Sequence, residues 1–551
     1  MSDRSDPKFQ ADFLFVHYQD DKPQNRTSSL SRKKAVFAQK SHQRQKRLAA
    51  AERLKTSTLS LRRRLPLAYN EVDDSHRTGQ HDTGKEDDST ADPSGVAQQL
   101  QFFTVKQLKD LFSPQSQLGQ GFSDPFSTAA IQMDESMDLY WHHYRNFILP
   151  LAYPLNSSPM GSWWWQKGLS EPVIHLTLLV SAAGHKIATD TITNAPLQEL
   201  QRSKRQYMSI QGDTIKRLNF LLQDPGAVVE STTLTVAALR AIEAISCNID
   251  CVAVHTTGLN ALIYIHGGLE NLDHQTLFQI YHSDIMYAAL TDSAPARPLI
   301  PRWRREILQE TMVFYSNGDL VSHVDSGLRA RLSMLGTSFF EASWYSGLAD
   351  GVKTLLRASQ RLIQYYEAGR VLPSTVMPTD NSLFLVLGHQ LLSVRYTLSP
   401  VEEVHQPAIS YVLNEALRIT MFIYLNMRVW NFQEYPIMHR LVNSLRTTLL
   451  GPSDTNDAPA TTPTLALTQL KRFAPDALFW ILFIGGMAAK GHDNEQLWFV
   501  QHLADLATLL ELREWEIARE VLGGFFYTDQ SGQQRGEELW EQVVPSWLSI
   551  I

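Results

Sequence analysis

The feature that most limits how this chain can fold is a series of apolar segments with helical spacing, which begins after residue 124. In "MDESMDLYWHHYRNFILPL", apolar residues recur every three or four positions, as on one face of a helix. We expect Pro150 to end or kink this helix, because proline lacks an N–H donor. No sustained alternation of apolar and polar residues with hairpin turns indicates strands. The spacing therefore predicts an all-α fold.

The same spacing predicts further helices, separated by glycine and proline. We expect them at residues 173–188, 197–222, 231–251, 255–265, 275–289, 329–348, 352–368, 382–392, 409–427, 477–489, 497–510 and 514–522. We expect loops at Trp163 to Trp165, which is flanked by glycine and proline, and at residues 451–464. His266 to Gly268 should be a helix end followed by a turn.

The most apolar segment, "ALFWILFIGGMAA" at residues 477–489, is shorter than the roughly 20 residues that span a bilayer. We therefore expect a buried core helix and no membrane partner. The N-terminal sequence "MSDRSDPKFQADF" lacks the pattern of a signal peptide. Two cysteines among 551 residues form no disulfide framework, which fits a reducing compartment. We expect a soluble intracellular protein.

Charge is distributed very unevenly along the chain. Residues 26–64 contain thirteen lysines or arginines and one acidic residue, Glu52, which gives a net charge of +12. The whole chain carries −7 and residues 1–25 contribute −2, so residues 65–551 carry −17. A basic arm thus precedes an acidic body that phosphates would repel. We expect any contact with nucleic acid to lie in the arm.

The arm permits three interpretations. It is a nuclear address that an import receptor reads, an address that also contacts DNA, or a solvated tail. A leucine zipper is excluded, because only Leu54 and Leu61 occur at heptad spacing before Pro66. The residues that we assign to DNA contact or nuclear import are Arg32, Lys33, Lys34, Lys40, Arg44, Lys46 and Arg47.

The segment at residues 70–94 contains almost no large apolar residue and should be a disordered acidic linker. The expected organisation is therefore a disordered N-terminal region at residues 1–99, with the basic arm at 26–64, and an all-α domain at 100–551.

We expect neither a metal nor a cofactor. On an uninterrupted helix, Cys247, Cys251 and His255 would share one face. Structural zinc takes four ligands, however, and no fourth stands at a typical spacing, so core packing is the preferred interpretation. The adjacent His142 and His143 should point in different directions.

The sequence also offers no catalytic motif, and we expect no enzyme. "IHGG" at residues 265–268 resembles the oxyanion loop of lipases, but the Gly-x-Ser-x-Gly elbow that this fold needs does not occur. The phosphate-binding loop, the dinucleotide glycine fingerprint and the paired-histidine zinc helix are also absent. For the three consecutive tryptophans, packing over the core is preferred to stacking on a ligand.

Several segments together resemble the fungal-specific transcription factor domain proteins, often called the "tachykinin family". They are "DPF" (124–126), "LPLAYPL" (149–155), "LQDPG" (222–226), "AVHTTGLNALIYIHGGLENL" (253–272), "FWILFIGGMAA" (479–489) and the closing helices (498–529). The segment at residues 253–272 matches the family's His-x-x-Gly-Leu … Gly-Gly signature at His255, Gly258, Leu259, Gly267 and Gly268.

This resemblance implies a nuclear regulatory protein with an all-α, middle-homology-type domain and no catalytic residue. Many members carry an N-terminal cluster of six cysteines that binds zinc, whereas this chain has only the basic arm. We therefore expect a transcription regulator in the nucleus, with DNA, protein partners or a second copy of itself as partners. The alternative is a helical scaffold or adaptor that does not contact DNA.

Overall fold

The computed structural model describes residues 131, 134–155, 157–223, 230–310, 319–372, 378–395, 408–451, 465–528 and 533–548. All regular structure in these residues is helical, which confirms the predicted all-α fold. The basic arm, the acidic linker and the "DPF" segment lie outside the described residues. The proposed division of the chain at residue 100 therefore stays a prediction.

The first helices belong to the N-terminal half of the described chain. They are α1 (Glu135–His143), α2 (Leu149–Ala152), α3 (Ser158–Ser170), α4 (Pro172–Ile192), α5 (Leu197–Leu221), α6 (Glu230–Ile245), α7 (Ile249–Ile265), α8 (His274–Thr291) and α9 (Pro301–Glu310). A π-helical turn, Tyr144–Ile148, joins α1 to α2. In this half, α6 packs between α7 and α8, and α4 packs against α1, α3, α5 and α6.

The remaining helices build the C-terminal half. They are α10 (Asp319–Ser322), α11 (Ser326–Met334), α12 (Thr337–Glu341), α13 (Asp350–Val371), α14 (Ser382–Ser393), α15 (Ala408–Arg428), α16 (Pro436–Leu450), α17 (Leu465–Phe473), α18 (Pro475–Ala488), α19 (Asp493–Leu509), α20 (Trp515–Gly524) and α21 (Gln533–Leu548). Contacts of α8 with α14 and α16 join the halves, and one apolar core extends from Tyr140 to Val543.

The most apolar segment is the buried core helix that its sequence predicts. Every residue of α18 from Ala477 to Ala488 is buried, against α15, α19 and α21. Within the described residues, no helix combines the length and the apolar character needed to cross a membrane.

Four predicted boundaries are wrong, and the first is that of the helix expected at 255–265, which begins at Ile249. The helix expected to end or kink at Pro150 is interrupted before this proline, by the π turn. Pro150 itself lies in the first turn of α2, where its missing N–H donor costs little. The helix expected at 231–251 breaks at Cys247, whose φ is 59°. The helix expected at 329–348 is divided into α11, α12 and a 3₁₀ turn, Ser343–Gly347, because Gly336 adopts a φ of 80°.

Candidate functional site: the signature helix α7 and the buried charges beneath it

The helix α7 carries most of the sequence signature, and its inner face packs on α6. His255, Gly258 and Leu259 are buried on that face. The helix stops at His266, and the next two residues adopt φ values of 77° and 105° that only glycine takes without strain. Asn271 Nδ2 donates to the His266 carbonyl oxygen at 2.9 Å and closes the turn. The predicted helix end is therefore confirmed.

A buried ion pair lies beneath α7. Arg240 of α6 and Asp284 of α8 are both fully buried, and Arg240 Nη1 lies 2.6 Å from Asp284 Oδ1. The same nitrogen donates to Ser283 Oγ at 3.0 Å, and Arg240 Nε donates to Thr256 Oγ1 of α7 at 2.8 Å. One guanidinium group therefore ties three helices together.

A second arginine shares the same carboxylate. Arg297 Nη1 lies 2.5 Å from Asp284 Oδ1, and Arg297 Nη2 donates to Asn260 Oδ1 on α7. One fully buried arginine and one partly exposed arginine thus face one negative charge. Burial lowers the pKa of Arg240, although the Asp284 carboxylate acts in the opposite direction. Such a cluster persists only if the surrounding packing holds it. Because its arginines also donate to Thr256 and Asn260, the cluster fixes the position of α7.

The inner histidine of α7 is buried against the helices beneath it. Burial and the neighbouring Arg240 charge lower the pKa of His255 to about 4, so this residue is neutral at pH 7. Two recesses occur elsewhere, beside α18 and α21, and the larger has a volume of about 50 Å³. A typical ligand pocket holds about 300 Å³ or more. Within the described residues, the arrangement consists of a buried ion cluster and an exposed helix surface.

The cysteine and histidine series does not lie on one continuous helix. Cys247 sits in the turn between α6 and α7, where Asn248 N donates to the Glu243 carbonyl oxygen at 2.9 Å, as at a Schellman helix end. The premise of one uninterrupted helix is therefore wrong. Among the described residues, no group of three histidine, cysteine or acidic side chains is placed to hold a metal ion.

The outer face of α7 is unusually apolar for an exposed helix. Its large side chains keep high exposed fractions, namely Ile249 48%, Val254 47%, Tyr264 81% and Ile265 54%. Exposed apolar side chains are typical of interaction sites where they lie close together, as Tyr264 and Ile265 do at the C-terminal end of α7. The inner face of α7 thus packs on the body, while its outer face is exposed among the described residues.

The three tryptophans lie in α3, so the loop expected there is wrong. Their packing against the core agrees with the preferred interpretation: Trp164 is buried and donates to the Tyr153 hydroxyl at 2.9 Å. The adjacent histidines do point apart. His143 is buried, with its Nε2 2.9 Å from His185 Nδ1, whereas His142 lies 3.8 Å from the Asp138 carboxylate.

The seven basic residues assigned to DNA contact or import lie outside the described residues. They are Arg32, Lys33, Lys34, Lys40, Arg44, Lys46 and Arg47. Sequence reasoning also missed Arg240, Asp284 and Arg297. A signal was present for Asp284, because it is the single acidic or basic residue, histidines aside, in an apolar helical run, where a charge has to be paired if it is buried.

The comparisons with known proteins concern this same part of the chain. The family model described as "Fungal specific transcription factor domain" matches residues 138–544, well over half of the 551 residues. No curated protein and no solved structure matches the chain at a significant level. The matched residues include all of α7 and the three charged side chains beneath it.

Proposed function

Since the chain belongs to the family of proteins with the fungal specific transcription factor domain, we propose that it is a nuclear transcription regulator. The single observation that carries this proposal is the family match over residues 138–544. The charge division supports it, because a net +12 segment precedes a body of −17. In this proposal the basic arm directs nuclear import and contacts DNA phosphates, and the helical body binds proteins.

The role of the arm is tested in the full chain with its seven assigned cations replaced by glutamine, as a fluorescent fusion. We expect the fusion to lose its nuclear enrichment. The control replaces four exposed arginines of the body, Arg304, Arg305, Arg357 and Arg361, by glutamine and should stay nuclear. Equal nuclear enrichment of both variants and the unchanged chain would remove the import role.

The regulatory function itself is tested by a genome-wide occupancy map and by transcript levels after deletion of the gene. Occupied promoters whose transcripts change are the expected result. To isolate DNA contact from import, the arm variant is supplied with a foreign import signal. Unchanged occupancy of that variant would rule out DNA contact by the arm while leaving the regulator intact.

The second candidate is an adaptor that does not touch DNA and assembles with a second copy of itself. The observation that favours it is the apolar outer face of α7. Sedimentation of the purified chain should then show a dimer that Tyr264→Ser with Ile265→Ser dissociates. Leu497→Ser with Leu509→Ser is the control, because these leucines are equally exposed on α19. A monomer at every concentration, or a dimer insensitive to α7, would contradict it.

A further inference from the structure

The helix α5 differs in charge from the acidic body around it. It has five cations, Arg202, Lys204, Arg205, Lys216 and Arg217, and only two acidic residues, Glu199 and Asp213. No acidic residue occurs between positions 200 and 212. All five cations are exposed. The net charge of +3 on this surface helix differs in sign from the net charge of −17 that residues 65–551 carry as a whole.

The inner face of α5 is fully used by the fold. It buries Ser203, Ile210, Thr214 and Leu218 and packs mainly on α4. Ser203 Oγ donates to Asp190 Oδ2 at 2.8 Å, which orients the helix. The cations therefore point outward from a helix whose position is fixed, and the face does not need to form on binding.

Most of the outward cations are not neutralised within the protein. Lys216 lies 2.7 Å from Asp213, but in the described part of the chain no salt bridge joins Arg202, Lys204, Arg205 or Arg217 to a carboxylate. Arg205 Nε donates only to the Gln201 carbonyl oxygen, at 3.3 Å, and Arg217 stacks 5.7 Å from the Phe220 ring. Within the described residues, these four charges thus have no carboxylate partner.

The distribution of these side chains fits a long polyanion. Arg202 and Arg217 are fifteen residues apart, or about 22 Å along the helix axis. The cations form two groups, at residues 202–205 and 216–217, so they suit separate phosphates of one long polyanion rather than one small anion. Gln198, Gln201 and Ser209 are exposed on the same face, and amide and hydroxyl groups donate to phosphates and base edges.

We propose that the outward face of α5 binds the phosphate backbone of double-stranded DNA, as a contact additional to that of the basic arm. This inference rests on the proposed function, because DNA is the polyanion that a nuclear regulator meets. The arm and α5 contribute separate sets of phosphate contacts. Each set therefore adds to the salt dependence of binding by counterion release.

The test measures the affinity of the full chain for a DNA duplex of random sequence by fluorescence anisotropy, over a range of NaCl concentrations. The α5 variant carries Arg202→Gln, Lys204→Gln, Arg205→Gln and Arg217→Gln. The matched control carries the four substitutions at Arg304, Arg305, Arg357 and Arg361, which change the net charge equally. Circular dichroism and the urea midpoint establish that all variants are folded.

We expect the α5 variant to bind at least about tenfold more weakly at low salt, and its salt slope to decrease by about 0.9 for each lost contact. The control should retain the slope of the unchanged chain. An α5 variant that behaves like the control overturns the inference. If the substitutions in the arm abolish binding and those in α5 leave it unchanged, the inference fails while the proposed function stands. If the unchanged chain binds no DNA, the inference fails together with the DNA contact proposed for the arm.

An acidic protein is the competing occupant, because Leu197, Met208 and Phe220 expose apolar surface on α5. Polyglutamate is therefore titrated in parallel with the duplex. Binding of polyglutamate that the α5 substitutions abolish, with unchanged DNA affinity, would assign this face to acidic polypeptides and overturn the nucleic-acid inference.

Discussion

At the scale of single residues, Asp284 allows two guanidinium groups to lie beneath the signature helix. We predict that Asp284→Asn lowers the free energy of unfolding by about 3–5 kcal/mol, because it leaves buried charges uncompensated. Urea unfolding measures this loss. The control is Asp292→Asn at the end of the same helix, where the aspartate is exposed and pairs with Arg395. A loss below about 1 kcal/mol is expected there, and equal losses would contradict the prediction.

The buried histidines make stability depend on pH. Burial, aided by the neighbouring His185 and Lys186, lowers the pKa of His143 from 6.5 to about 3. The unfolded chain then binds a proton that the folded chain excludes, so the penalty is absent above about pH 6.5 and grows as the pH falls toward 4. We predict that His143→Gln flattens the decline in stability by up to about 1.4 kcal/mol per pH unit.

The adjacent His142 supplies the control for this measurement. It is partly exposed and lies beside Asp138. Thermal unfolding between pH 7 and 4.5 compares the two variants, and we expect the flatter decline for His143→Gln, whose histidine is the buried one. If His142→Gln flattened the decline as much as His143→Gln, the burial of His143 would not be its cause.

At the scale of elements, the close packing of α18 on α19 depends on one glycine. A Cβ atom at Gly485 would lie 2.8 Å from Phe499 Cζ, nearer than carbon atoms approach without a shift. We predict that Gly485→Ala lowers the free energy of unfolding by about 1–3 kcal/mol, since both helices are buried. Gly523→Ala in α20 meets open space and should be neutral or stabilising by up to about 1 kcal/mol. A lower urea midpoint for Gly523→Ala than for Gly485→Ala would contradict this prediction.

Helix existence was predictable from the sequence, and helix ends were less so. The spacing of apolar residues predicted α4, α5, α13, α14, α15 and α18 within a few residues. It missed α9, α16, α17 and α21, which are short or rich in polar residues. The predicted helix at 231–251 also continued across Cys247, because no local feature of this residue indicates a left-handed backbone.

At the scale of the whole molecule, one core joins the first and last described helices. We predict that removal of residues 1–99 leaves the urea midpoint unchanged, since the proposed domain begins at residue 100. Removal of residues 533–551 should abolish cooperative unfolding, because Leu539, Trp540 and Val543 pack into the core from α21. A destabilised chain after the N-terminal deletion would contradict the proposed domain division.

The sequence by itself determined the fold class, the buried helix at 477–489, the split of charge between arm and body, and the family resemblance. These follow from local periodicity and composition, which depend on the order of residues along the chain and not on which residues meet in space. Only the tertiary structure decided that Arg240, Asp284 and Arg297 meet, and that α5 turns its cations outward. Such pairings join residues that are tens of positions apart, and they depend on how the helices pack.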